Sequence, residues 1–156
     1  MDKITNALPG ALKSTYETIL QDAPNAQIYV ADYPYMMPVE SASDPENTGC
    51  FYLYNGSTHW ANAQAARYIV GQIDATISSE ITLVQGESSD YASRLHYVPM
   101  NGTGSPFVGH TVCDTGSSDF QNVDQAGNNR AYVFHPNANG HLDLSNVFAY
   151  AITGGV

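Results

Sequence analysis

The residues best suited to proton transfer lie in one octapeptide, Phe134-His135-Pro136-Asn137-Ala138-Asn139-Gly140-His141. An imidazole titrates near neutral pH, so a fixed ring with an exposed nitrogen serves as a general base. Pro136 has a ring-locked φ and biases His135 toward extended backbone. That combination holds an imidazole at a loop edge rather than inside a regular element. Taken alone, His-Pro reads as a turn. His135 and His141 have no third ligand at a usual zinc spacing, so neither metal nor cofactor is expected there. Ser57 and His59 share a polar stretch without the signature of a strained strand-to-helix turn, which argues against a nucleophile there.

The elements that position this octapeptide follow from periodicity. Ile4, Leu8, Leu12, Tyr16, Ile19 and Leu20 recur at helical spacing. Pro9 suits a helix start, and Pro24 sets its end. Gln27 to Ala31 reads as a short strand, apolar on both faces, as in a parallel sheet covered by helices. Residues 32–58, with Pro34, Pro38, Pro45 and Cys50, read as a long loop. A second helix is expected from about Thr58 to Glu80, burying Ala63, Ala66, Ile69, Val70, Ile73 and Ile77. Ile81 to Val84 either continue it or form a strand. Leu95 to Pro99 reads as the next strand, and Leu142 to Ile152 as the last helix. The order helix, strand, helix, strand, helix is half of a doubly wound α/β fold. Residues 1–156 read as one domain, with no internal repeat and no dividing linker. Two or three parallel strands make a poor sheet alone, so the pattern suggests further strands before residue 1.

Five Lys plus Arg stand against fifteen Asp plus Glu, giving a net charge of −10. Such a surface repels phosphate backbones and makes nucleic acid a poor partner. No apolar run reaches the roughly 20 residues of a membrane span. Cys50 and Cys113 are an even pair, suited to one disulfide, with two free buried thiols as the alternative. Asn55-Gly56-Ser57 and Asn101-Gly102-Thr103 are glycosylation acceptors or, equally, Asn-Gly turns. Together these features favour a secreted protein, although no export signal opens the chain.

Three segments carry a family resemblance. Ala23-Pro24-Asn25-Ala26-Gln27-Ile28-Tyr29-Val30-Ala31-Asp32-Tyr33-Pro34, Phe107-Val108-Gly109-His110-Thr111-Val112-Cys113 and Phe134 to His141 resemble, in order, three blocks of the SGNH (GDSL) hydrolases, in their secreted actinobacterial and fungal branch. The resemblance spans about residues 4–152. It implies the C-terminal half of a flavodoxin-like α/β/α sandwich with a parallel sheet. It also implies a serine esterase or lipase, with His135 as the general base. The family's serine, oxyanion glycine and oxyanion asparagine blocks have no counterpart here: neither Gly-Asp-Ser nor Gly-x-Asn-Asp occurs. The chain alone is therefore expected to be inactive, its site completed by a missing N-terminal half.

One position departs from the family pattern. The usual acid three residues before the histidine is Tyr132. The resemblance then implies a main-chain carbonyl, that of Tyr132 or a neighbour, orienting the imidazole; nothing in their spacing recommends Asp119 or Asp124 instead. In the family His141 starts or caps the last helix, and Asn137 and Gly140 shape its turn. His110 reads as a scaffold residue beside Cys113. Tyr33 and Pro34 either line an acyl or alcohol pocket or pack as ordinary loop. The substrate is an ester of undetermined class: lipid, aryl ester or acetylated sugar. The competing reading is an inactive truncated paralogue that binds a lipid, a glycan or a protein.

Overall fold

The computed structural model describes residues 3–38, 59–102, 104–114, 117–121 and 134–154, without the side chains of 59–63. The chain is a mixed α/β protein. One π-helical turn, Lys3–Ala7, leads into α1, Leu8–Asp22. Then come β1, Ile28–Ala31; α2, His59–Gln85; α3, Ser89–Arg94; β2, Leu95–Val98; and α4, Ala138–Thr153.

The two strands pair in parallel, Ile28 opposite Leu95 and Ala31 opposite Val98. Parallel neighbours need a crossover, and α2 lies in it. Alternation along each strand sorts the side chains between two cores. Ile28, Val30, Leu95 and Tyr97 face α1 and α2, packing with Tyr16, Leu20, Ile77, Ile81 and Val84. Tyr29, Ala31 and Val98 face the other way, toward Leu144, Val147, Phe148 and Ala151 of α4. Helices therefore cover both faces of the pair, as the apolar character of the strands requires.

The helix boundaries show what periodicity resolves. Pro9 sits in the first turn of α1, where its missing N–H costs nothing. Ile81 to Val84 continue α2, because no breaker precedes Gly86, whose N–H bonds Thr82 O at 3.1 Å. Ile69 is 43% exposed and does not belong to the buried face of α2. That face runs through Val70, Asp74, Ile77, Ile81 and Val84.

Short α3 was not expected from the sequence. Ser88 caps it, accepting from Tyr91 N. Its last residue, Arg94, is buried and donates to Leu20 O, Ala23 O and Asp90. A cation thus satisfies the carboxyl end of α1.

The loops leaving both strands are held by acids. Asp32, directly after β1, accepts from Met100 N at 2.5 Å and from the Tyr97 hydroxyl. Asp74 of α2 accepts from Tyr33 N at 3.0 Å and from Asn101 Nδ2 at 3.1 Å. Asn101 in turn donates to Tyr33 O and accepts from Tyr35 N.

Burial pushes the Asp74 carboxyl up to about 6, and the charge of Asp32 adds to it against the Tyr33 and Asn101 hydrogen bonds. Asp32 is raised too, by burial. An acid raised on folding leaves the folded state with more bound protons than the unfolded one between about pH 4 and 6. Its ionisation therefore lowers stability as pH rises through that window. We expect the urea midpoint to fall from pH 4 to pH 6 and the decline to be shallower in Asp74→Asn. An unchanged slope in the variant would remove Asp74 from this account.

Candidate functional site

His135 lies on a short segment that enters α4 and is clamped on both sides. Phe134 N donates to Gln121 O at 2.9 Å, and Gln121 N donates to His135 O at 2.8 Å. Phe120 and Pro136 complete an antiparallel bridge. Next in line, Asn137 N donates to Asp119 O at 2.8 Å. The backbone on either side of the imidazole is thus fixed by the 118–121 segment, while His135 itself is exposed.

Phe134 supplies the turn. Its φ is +70°, and it is the only non-glycine residue with positive φ among those described. A left-handed Phe is sterically costly and persists where the surroundings impose it. Here the ring packs against the core cluster of Met37, Val98, Met100, Phe107, Val112, Cys113 and Phe120. Val98 ends β2 and Met100 follows it, so Phe134 anchors the histidine segment to the carboxyl end of the sheet. Parallel α/β sheets place their sites there.

Asn137 is the N-cap of α4. Its Oδ1 accepts from Asn139 N at 2.9 Å and Gly140 N at 3.1 Å, while Nδ2 donates to Ser118 O at 2.5 Å. The helix accordingly begins at Ala138, four residues before the expected Leu142. His141 therefore neither starts nor caps it; it is an exposed residue of the first turn, its N–H bonded to Asn137 O. We expect Asn137→Ala to destabilise the protein by about 2–3 kcal/mol, from the lost cap and an unsatisfied Ser118 carbonyl. Asn137→Asp, which keeps the cap, should lose less. Denaturant titration of the two variants checks the order.

The other expected site residues are placed as follows. Tyr132 and Cys50 lie outside the described residues. Cys113 is 2% exposed within the core cluster. Tyr33 is 56% exposed, with its backbone tied to Asp74 and Asn101. Pro34 is half-buried. The same loop reaches a cavity of about 280 Å³ through Tyr35 and Pro38, beside Arg67, Phe107 and Asp114. The Arg67 guanidinium stacks over Tyr35, 3.9 Å from the ring centre, and donates to Met37 O.

A larger cavity, about 660 Å³, lies between β2 and α4, lined by Tyr29, His96, Val98, Ser105, Val147 and Tyr150. His96 stacks on Tyr29 at 4.7 Å and bonds Gln27. No motif announced this cavity in the sequence; it arises where the α4 side chains leave the sheet face partly uncovered.

Beside the histidine segment, His110, Asp119 and Asp143 converge. His110 Nδ1 is 3.5 Å from Asp119 Oδ1. Asp119 N also donates to His110 O at 3.0 Å. The buried Asp119 carboxylate thus faces His110, the residue expected to serve as scaffold, and Asp143. Burial, with the charge of Asp143, pushes Asp119 up to about 6 against the pull of His110.

Comparison of the chain with family models, with curated proteins and with solved structures gives no match.

Proposed function

We propose that this chain supplies the general-base part of a serine carboxylic-ester hydrolase of the SGNH type, with the nucleophile contributed from outside residues 1–156. The observation that carries this reading is His135 itself. It is exposed on a segment held by three backbone hydrogen bonds, Phe134 N to Gln121 O, Gln121 N to His135 O and Asn137 N to Asp119 O, and anchored through Phe134 at the carboxyl end of a parallel strand pair. A base that must take a proton and return it needs that fixed placement.

In the proposed reaction a serine hydroxyl attacks the ester carbonyl. His135 accepts the hydroxyl proton and then delivers it to the departing alkoxide, leaving an acyl-enzyme. It next activates the water that hydrolyses this intermediate. Backbone and amide donors of the missing part hold the oxyanion. The main-chain carbonyl of Tyr132 or a neighbour orients the imidazole, and Tyr33 with Pro34 borders the acyl or alcohol subsite. A lipid, an aryl ester or an acetylated sugar fits this chemistry.

The architecture supports a flavodoxin-like assembly. Helices cover both faces of the strand pair, and among the described residues each strand keeps one unpaired edge. Strands from the serine-bearing part extend the sheet there. Secretion and a Cys50–Cys113 bridge complete the proposal. The burial of Cys113 and the absence of a free thiol among the described residues support the bridge. Iodoacetamide labelling before and after reduction reads it directly. No described helix is long and apolar enough to cross a membrane.

The test is hydrolysis of a short-chain p-nitrophenyl ester by the isolated chain, and by the chain joined to a serine-bearing N-terminal part. The isolated chain should be inactive and the joined protein active, in a manner that requires His135. The 660 Å³ cavity favours a second reading, a binding module without catalysis. That reading predicts no gain on joining.

A further inference from the structure

We infer that His110, Asp119 and Asp143 form a binding site for a divalent transition cation of the zinc or manganese class. One ligand atom from each residue lies within 4.8 Å of the other two, the one such group of three among the described residues. The three come from separate places: the loop ahead of Cys113, the 117–121 segment, and the second turn of α4.

An observation beyond the convergence of the three residues points to a ligand. Asp119 is 1% exposed, and among the described residues its buried Oδ2 meets no hydrogen-bond donor. A buried carboxylate oxygen left unpaired is costly and calls for a counter-charge. Asp143, a second carboxylate beside it, raises Asp119 through its charge and a side-chain hydrogen bond, so the pair must share either a proton or a cation. A cation among the three ligands removes both penalties together, in a chain whose net charge is −10.

The geometry agrees. Ligand atoms about 2.1 Å from a tetrahedral centre lie about 3.4 Å from one another. His110 Nδ1 and Asp119 Oδ1 are already 3.5 Å apart. The Asp143 ligand oxygen lies within 4.8 Å of both.

One imidazole nitrogen with two carboxylate oxygens suits zinc or manganese. Calcium takes six to eight oxygens, and magnesium prefers a mostly hydrated, all-oxygen shell. His110 has a half-exposed side chain, so water can fill the remaining coordination positions. The site is distinct from the His135–His141 pairing, whose spacing lacks a third ligand.

The cation's role follows from what Asp119 holds. Its carbonyl accepts from Asn137 N, and its neighbours pair with Phe134 to Pro136. A cation bridging the 117–121 segment to α4 therefore rigidifies the support of the histidine segment. The site needs no part of the hydrolase reading, and metal affinity tests it alone.

The experiment is calorimetric and thermal titration of the chelator-treated full chain with Zn²⁺ and Mn²⁺, with Ca²⁺ and Mg²⁺ in parallel. Saturating Zn²⁺ or Mn²⁺ should raise Tm by about 5 °C or more. Asp143→Asn and His110→Gln should each weaken that binding at least about tenfold. Asp119→Asn is not the decisive variant, because its buried position also serves folding. Binding that survives unchanged in both Asp143→Asn and His110→Gln overturns the site, since the cation then sits on other histidines. A response to Ca²⁺ alone, or to no cation, overturns it equally.

Discussion

Under the hydrolase proposal, replacing His135 by alanine in a protein that joins this chain to a serine-bearing part should lower kcat/KM for a p-nitrophenyl ester by roughly 10⁴-fold or more. The size follows from the role. Without the base the serine hydroxyl stays protonated and the leaving alkoxide receives no proton. Only binding and oxyanion stabilisation remain, and these leave a small residual rate.

The variant should fold normally. The His135 carbonyl accepts from Gln121 N, and alanine keeps that backbone bond. The ring is exposed, so its removal opens no cavity in the core. Unchanged Tm with lost activity is the expected pair of results, and added imidazole should restore part of the rate. Full activity in the alanine variant would show that another group is the base, and the hydrolase proposal would fall with it.

The second large effect is on stability. Gly140→Ala lies inside a helix, where alanine ordinarily gains about 1 kcal/mol over glycine. Here the sign should reverse. A Cβ at this position falls 2.2 Å from Asp119 O and 3.1 Å from both Asp119 C and Pro136 Cβ. Two of these are backbone atoms that cannot swing aside. The first turn of α4 would have to lift away from the 118–121 segment, and Asn137 N→Asp119 O and Asn137 Nδ2→Ser118 O would lengthen together. Overpacking of this kind with lost hydrogen bonds costs about 3 kcal/mol or more.

For a chain of this size that is a Tm drop of roughly 10 °C. Asn139→Ala, one residue away and exposed, is the control and should be neutral or slightly stabilising. A Gly140→Ala protein as stable as the wild type would mean that α4 does not sit on Asp119 as described. The glycine of this block is thus there for close approach: its φ is not among the positive values, so conformational freedom is not the requirement.

Much of the scaffold was legible in the residues. Ile28 to Ala31 and Leu95 to Val98 declare themselves as strands because apolar and aromatic residues on both faces suit only a strand with cover on each side. The start of α1 followed from Pro9, and its end from Pro24. The core face of α2 was legible in Val70 and Ile77, since helical periodicity is a local property of the chain. Asp74 was missed on that same stripe, because an acid at a buried position is intelligible only beside the Tyr33 and Asn101 donors it serves.

What the sequence by itself determined is the chemistry available at His135. A histidine held before a proline, ahead of a helix, is a local arrangement of residue types. The tertiary structure decided the rest. Asn137-Ala138-Asn139-Gly140 reads as a turn, and it becomes the first turn of α4 because Ser118 and Asp119 arrive to bond Asn137 and exclude a Cβ at Gly140. Likewise, no spacing along the chain links His110, Asp119 and Asp143. Metal-ligand spacing is legible only when the ligands share one element, and here three segments bring one each. Side-chain type is written residue by residue, whereas a buried carboxylate without a partner exists only once the chain has closed around it.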